Sequence, residues 1–417
     1  MSRSLSVWWH GAVVGDLILD EHGDLGFAYK TTWLEDEAKL AISASLPKQA
    51  QVFNRRQTRP FFAGLLPEQA VLESVARKLG LSATNDFQLL TALGGEVAGA
   101  LSLWPEGEVP AVYSGQAGNV ALGDDELIGL IDEMPRRPFL AGDKGLRLSL
   151  AGAQAKLPVV LVGDRIALPV QGQPTTHILK PPMPRFFATT ENEAFSMQLA
   201  AAIGLDVAPA LPQKVRDRTY LLVTRYDRQL DRNGGVRRLH QEDFCQAMGI
   251  SPEHKYAAEG GPTFKTSFEL LRRVTTRPAV ETLKLLDAAL FNLIVGNADA
   301  HGKNFSLLYD GSDARLAPLY DLMCTAAYPD VATRLAMQFI DSSDLKEFTP
   351  HLWDKFAKTI EVGAPYLRRR FIRLGQLVHQ QAEHIAAVIA KQGFDHDALE
   401  GFAEIAKSRS ASLLEQA

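Results

Sequence analysis

Hydrophobic and polar positions alternate over residues 5–29, where SVWWHG, AVVGDLILD and LGFAYK are short β-rich runs parted by Gly, His-Gly and Asp turns. Side chains two apart share one face of a strand, so this pattern predicts a meander. The period then lengthens. After Pro67, Val71, Val75 and Leu79 recur at helical spacing and Gly80 supplies a stop. A short helix is expected over Asp86–Leu93, and the strand-like VAGALSLWP closes a first α+β unit near residue 105. Residues 105–118 are rich in Pro, Gly and Ser and read as a connection, followed by a helical piece at Asp124–Glu133.

From 146 to 180 the pattern is strand-like again: RLSL, a Gly/Ala loop, LPVVLVG, RIALPV and THILK outline a twisted antiparallel sheet. Residues 189–204 predict a helix, with Thr190 and Glu193 at capping-box spacing and Gly204 as the stop. LLVTRYD (221–227) is a further strand. From about Gln241 the chain is mainly helical, interrupted by a hairpin at 305–316. The expected architecture is α+β. It comprises a small N-terminal α+β subdomain (1–105), a connection (106–145), a β-rich lobe (146–230) and a helical lobe (231–417).

Bulk properties narrow the class. With 417 residues the chain should divide into two or three domains, and 46% hydrophobic with 22% charged residues is an ordinary globular balance. No apolar run reaches the roughly 18–20 residues of a membrane span, and the N-terminus, MSRSLSVWWHG, lacks the features of a secretory signal. Two cysteines, Cys245 and Cys324, give neither a disulfide framework nor a zinc spacing, so a cytoplasmic location is expected. A net charge of −5 argues against strong binding to nucleic acid by this chain itself. The basic run Arg368, Arg369, Arg370 and Arg373 reads as a solvated helix face.

The chemistry concentrates in IVGNADAHGKNFSLLYDGSDARLAPLYD, residues 294–321. The helix before it ends at Gly296 and leaves NADAHGKN in a loop. Asp299 is followed five positions on by Asn304, and Asp321 closes the hairpin. Phosphoryl transfer from ATP needs one free carboxylate to orient and deprotonate a hydroxyl, and an amide plus a second carboxylate to hold Mg²⁺. Asp and Asn are also common turn formers. Here, however, Asn297, Asp299, His301 and Asn304 crowd a connection that needs only one or two such residues.

Three further stretches are candidates. In LSLAGAQAK (148–156) the small residues Ala151, Gly152, Ala153 and Ala155 would let backbone N–H groups approach phosphate oxygens, although a plain β-turn reads the same way. Lys180, ending THILK, is where a kinase keeps the amine that pairs the α and β phosphates, or else an edge-strand lysine. Thr224, Arg225 and Tyr226, after an apolar strand, could form an adenine-holding hinge or simply core. Glu193 is explained equally well as a helix cap and stays outside the site.

With these residues in view, the chain resembles the HipA family, the serine/threonine kinase toxins of bacterial type II toxin–antitoxin systems. The resemblance spans nearly the whole chain: FFAGLLPE, LLTALGGEVAGAL, RLSLAGAQAK, HILKPP, NEAFSMQLAAAIGL, RYDR, RLHQEDFCQAMG, KYAAEGGP, NADAHGKNFS and LAPLYD follow in the family's order. It implies a bilobal body related to protein kinases and phosphatidylinositol kinases. It implies Asp299 as catalytic base, Asn304 and Asp321 as Mg²⁺ ligands, and nucleotide contacts from Ala151, Gly152, Ala153, Gln154, Ala155, Lys156, Lys180, Thr224, Arg225, Tyr226, His301, Tyr320 and Asp321. Ser149 falls at the family's autophosphorylated serine, where a phosphate dianion would repel the phosphates of ATP. The partners implied are a HipB-like antitoxin and, through it, operator DNA. The implied substrate is an aminoacyl-tRNA synthetase, glutamyl-tRNA synthetase first. The sequence departs from many relatives at Ala155, often acidic, and at Thr224, often Glu. A small-molecule or lipid-head-group kinase of the same fold, and a non-catalytic ATP-binding co-repressor, stand as alternatives.

Overall fold

A computed structural model describes residues 3–110, 119, 121–142, 146–169, 173–230, 235–339 and 350–415. The expected connection at 106–145 therefore lies partly outside the described residues. The chain forms two compact units: residues 1–183, 213–253 and 307–313 in the first, and 184–212, 254–306 and 314–417 in the second.

The first unit opens with the predicted meander. β1 (Arg3–Trp9), β2 (Ala12–Leu19) and β3 (Leu25–Tyr29) are antiparallel neighbours, and β4 (Leu101–Pro105) adds to the free edge of β1, giving the order β3-β2-β1-β4. The register pairs Val7 with Gly15 and with Leu103. A second sheet, ordered β6-β5-β7-β9-β8, is built from β5 (Leu157–Val162), β6 (Arg165–Ala167), β7 (His177–Lys180), β8 (Ala210–Val215) and β9 (Arg218–Thr224). Leu5, Val7, Phe27, Phe61, Phe62, Leu148, Leu157 and Leu179 belong to one continuous buried cluster. The subdomain and the β-rich lobe thus share a core where the sequence suggested a division.

Two expectations in this unit change. The helix Arg55–Ala63 was not foreseen, because Pro60 lies inside it; its signal is the Asn54/Gln57 capping box. RLSL is not a sheet strand. Leu148 makes only a parallel bridge to Glu96, with Glu96 N–H donating to Arg147 O (2.8 Å) and Ser149 N–H to Glu96 O (2.9 Å).

Glu242, at 1% exposure in the strand His240–Asp243, accepts from Ala44 N–H (2.9 Å), Tyr309 Oη (2.6 Å) and Ser43 Oγ. Burial pushes its carboxyl up to about 7, against the lowering effect of those hydrogen bonds. Between the ordinary carboxylate range and pH 7 the folded state therefore holds a proton that the unfolded chain has lost. Stability contributed by this group falls as pH rises through that window. We expect thermal melting of Glu242→Gln to lose the part of the wild-type decline between about pH 5 and 7.5 that this proton causes.

The second unit is helical. Its centre is Pro278–Val295, buried along most of its length because helices pack around it, and the helix stops at Gly296 in the left-handed region (φ 79°). A Cβ there would lie 2.7 Å from Ala326 Cβ. Phe264–Val274, Ala364–Ala390 and His396–Glu415 complete the bundle with Thr189–Ala202. That last helix belongs to the second unit, although it follows β7 directly in sequence. Its capping box is also a misreading. The helix begins at Thr189 after a left-handed Ala188, and Glu193 is buried within it at 2% exposure. In the basic run, Arg370 pairs with Asp287 and Arg368 with Asp354, so half of it is engaged in ion pairs. No helix among the described residues is long and apolar enough to cross a membrane.

Candidate active site

The residues singled out from sequence fall into two groups, one in each unit. In the second unit the Pro278–Val295 helix ends at Gly296 and hands the chain to a tight loop. Asn297 is buried and its Nδ2 donates to Asn292 Oδ1 (2.8 Å), while its Oδ1 accepts from Asp299 N–H (3.1 Å). Thr325 Oγ1 donates to Gly296 O (2.9 Å) and accepts from Ala298 N–H (2.8 Å), closing the loop from the other side. Asp299 is exposed at the loop's crest, as a group that must meet a substrate requires.

Its backbone carbonyl gathers the other polar residues. His301 N–H donates to Asp299 O (2.8 Å) and so does Asn304 Nδ2 (3.2 Å), across a 3₁₀ turn at Gly302–Asn304. Using Nδ2 as donor leaves Oδ1 as the atom with which Asn304 could take a metal ion. Tyr320 Oη donates to Lys303 O (2.7 Å) and lies 2.7 Å from Ser306 Oγ, tying the segment before Asp321 to the loop. Leu319 is held by a parallel bridge to Val207. Asp321 then takes a left-handed backbone (φ 58°), a conformation Asp tolerates better than most residues. Beyond it, Asn192 accepts from Cys324 N–H (2.7 Å) and donates to Cys324 O (3.0 Å).

This donor set suits Mg²⁺. Among the described residues no three His, Cys, Asp or Glu side chains cluster as a metal cage. An amide oxygen and one carboxylate are what Mg²⁺ takes from a protein when phosphates and waters complete its octahedron.

The first unit carries the other group. Ser149 is completely buried, its Oγ donating to Leu65 O (2.7 Å). The loop that follows is pinned by Glu68 N–H donating to Gly152 O (3.1 Å) and by Lys156 Nζ donating to Ala151 O (2.8 Å). Gly152 has φ 115°, a backbone conformation that L side chains rarely adopt, so the turn favours glycine. Gln154 Nε2 lies 3.5 Å from Pro181 O. Lys156 and Lys180 are both nearly buried. Lys156 directly precedes β5 and Lys180 ends β7, beside the registered pair Leu157↔Leu179. Two buried ammonium groups suit a polyphosphate.

Thr224 ends β9 opposite His177, and Tyr226 Oη donates to Gln241. The Arg225 side chain is engaged in an ion-pair cluster. It is buried at 1% side-chain exposure against Glu96 (3.1 Å) and Asp227 (2.8 Å), and its N–H already donates to Thr176 O. Arg228 joins the same cluster, 2.9 Å from Glu96 and 3.0 Å from Asp227, and Arg238 pairs with the second oxygen of Glu96. Thr175 Oγ1 also donates to Glu96 (2.9 Å). Burial opposes ionisation of Glu96, yet the guanidiniums of Arg238, Arg228 and Arg225 outweigh it and hold the carboxyl at about 2.

Separately, a cleft of about 200 Å³ in the first unit is lined by Trp9, Trp33, Lys39, Arg237, His240 and Tyr309 among others, and holds none of the predicted site residues. Sequence reading missed the guanidinium cluster around Glu96, although GGEVAG contains that residue.

Residues 5–104 match the HipA N-terminal domain and residues 148–392 the HipA-like C-terminal domain. The chain belongs to the HipA family. It is 56% identical over 390 residues to "Putative kinase Y4mE" of Sinorhizobium fredii, covering 93% of this chain and 92% of that one. It is 30% identical to "Serine/threonine-protein kinase toxin HipA" of Shewanella oneidensis, over 80% of this chain and 77% of that one. Its structure superposes on HipA from the solved Shewanella oneidensis complex of HipA, HipB and operator DNA with a TM-score of 0.83. That match has 26% identity and covers 97% of this chain and 96% of that one. The α+β kinase-like fold of HipA is therefore the fold of this chain, and the chain is a serine/threonine kinase of that family.

Proposed function

We propose that this HipA-family kinase transfers the γ-phosphoryl group of ATP to a serine or threonine of a translation protein and acts as the toxin of a toxin–antitoxin pair. The observation that carries the reading is Asp299, exposed on a loop whose carbonyl holds Asn304. In the step proposed, the substrate hydroxyl oxygen bonds to the γ-phosphorus as the bond to the β–γ bridging oxygen breaks. The hydroxyl proton passes to Asp299. Asn304 and Asp321 would hold Mg²⁺, which supplies charge neutralisation on the phosphates. Lys156 and Lys180 would grip the phosphates, with backbone from Ala151, Gly152, Ala153 and Ala155 and the side chain of Gln154. Thr224 and Tyr226 would border the base, and His301 and Tyr320 would contribute nucleotide contacts.

An aminoacyl-tRNA synthetase, glutamyl-tRNA synthetase first, is the substrate this reading names. A small HipB-like protein is the antitoxin, as in the Shewanella complex, and the net charge of −5 suits a chain that reaches operator DNA through such a partner. Cys245 and Cys324 are buried and outside any disulfide, which suits a reducing cytoplasm. Expression should arrest growth, and phosphorylated synthetase should appear in those cells by mass spectrometry. Phosphate on small molecules or lipid head groups alone would favour a different substrate class for the same fold. Arrest that survives loss of Asp299 would favour the co-repressor reading.

Ser149 autophosphorylation is part of the proposal. With its Oγ buried, the loop 149–156 must swing outward before Ser149 can accept a phosphate, and the dianion would then oppose its return. Intact-mass measurement after incubation with ATP and Mg²⁺ should show one added phosphate, absent in Ser149→Ala. A phosphate that persists in Ser149→Ala removes this assignment.

A further inference from the structure

KYAAEGGP has no role in the proposed step, yet in the structure it reaches Asp299, the proposed base. Lys255 O accepts from Gly302 N–H (3.3 Å), and Ala257 N–H donates to Ala336 O (2.9 Å), so the segment is stitched beside the catalytic loop. It then curls on itself. Tyr256 O accepts from both Glu259 N–H and Gly261 N–H at 2.9 Å, and Gly260 turns through the left-handed region at φ 89°. A Cβ on Gly261 would lie 2.7 Å from Tyr256 O, closer than side-chain carbons approach backbone oxygens, so the curl demands glycine there.

The curl presents one side chain. Tyr256 Oη donates to Asp299 Oδ1 at 3.0 Å, and its ring meets His301 edge to face with centroids 5.3 Å apart. Asp299 is an exposed carboxylate, and the orientation of its oxygens depends on what restrains its side-chain torsions. A phenol bonded to one oxygen and braced by an imidazole restrains them. Proton abstraction depends steeply on such alignment.

We propose that Tyr256 is a positioning residue for phosphoryl transfer, holding the Asp299 carboxylate in its working rotamer. The inference rests on Asp299 being the base. It assigns a purpose to the whole KYAAEGGP hook: Gly260 and Gly261 shape the curl, and Tyr256 is what the curl delivers. The tyrosine touches the base and leaves nucleotide binding to other residues, so its loss should lower the limiting rate without weakening the grip on ATP.

The test uses the purified full chain with ATP and Mg²⁺, measuring ADP release across ATP concentrations for wild type, Tyr256→Phe and Asp299→Asn. Nucleotide affinity and melting temperature are measured on the same samples. The expected result is a kcat about tenfold lower in Tyr256→Phe, with KM for ATP, nucleotide affinity and melting temperature unchanged. Equal kcat in Tyr256→Phe and wild type, with Asp299→Asn inactive, overturns the positioning role and leaves the kinase reading intact. A proportional loss of affinity and melting temperature in Tyr256→Phe also overturns it, because the hook would then be structural. Wild type no faster than Asp299→Asn would bring down the base assignment itself, and this inference with it.

Discussion

Asp299→Asn should lower phosphoryl transfer by about 10³-fold while leaving the fold and nucleotide affinity in place. The backbone of residue 299 does much of the structural work. Its carbonyl receives His301 N–H and Asn304 Nδ2, and its N–H reaches Asn297. An amide side chain keeps all of those bonds and can still accept from Tyr256, but it cannot take a proton from a hydroxyl. The variant thus separates chemistry from architecture. ADP release and the phosphate on Ser149 should both fall to background, and growth arrest on expression should disappear. Full activity in Asp299→Asn would require another base.

Glu96→Ala should cost about 3–5 kcal/mol of stability. Three guanidiniums, from Arg225, Arg228 and Arg238, converge on Glu96, and Asp227 answers two of them. Removing Glu96 leaves that buried positive charge facing a single carboxylate. Breaking a buried pair by deleting one partner is costly for this reason, whatever the pair's net worth when intact. Glu96→Gln keeps the shape and some acceptors, and its melting temperature should fall between the two. The sign with pH follows from the depressed carboxyl. Stability from Glu96 is fully present above the ordinary carboxylate range and is lost as pH falls toward about 2. A melting temperature for Glu96→Ala equal to wild type at pH 7 would contradict this account.

The position of Glu96 also links stability to the site. The same residue pairs backbone with 147 and 149, at the root of the glycine loop, and side chain with Arg225, at the end of β9. The first unit's N-terminal meander and its second sheet are joined there as well as through their shared core.

How much of this was legible in advance follows the distance along the chain over which each feature is made. The meander, the helix ending at Gly296 and the spacing Asp299, Asn304, Asp321 are local. Strand and helix periods, a left-handed glycine stop and a loop crowded with polar residues are written in neighbouring positions. The resemblance then supplied the proposed roles of Ser149 and of the remaining candidate nucleotide contacts from ordered motifs. The Glu96 cluster was not legible, because Glu96 and Arg225 are 129 positions apart, and a buried arginine after an apolar strand reads the same as a solvent-facing one. Tyr256 lies 43 positions from Asp299, so its motif could be quoted but not given a purpose. Glu193 at capping spacing was a local signal that packing overrode: the helix starts at Thr189, and the residue is buried inside it. The elements and the polar loop around Asp299 were readable from local order, because their side chains follow one another closely along the chain. Which charges neutralise one another, which helix joins which unit and what touches Asp299 came from packing, because those depend on non-local pairings that leave no periodic trace.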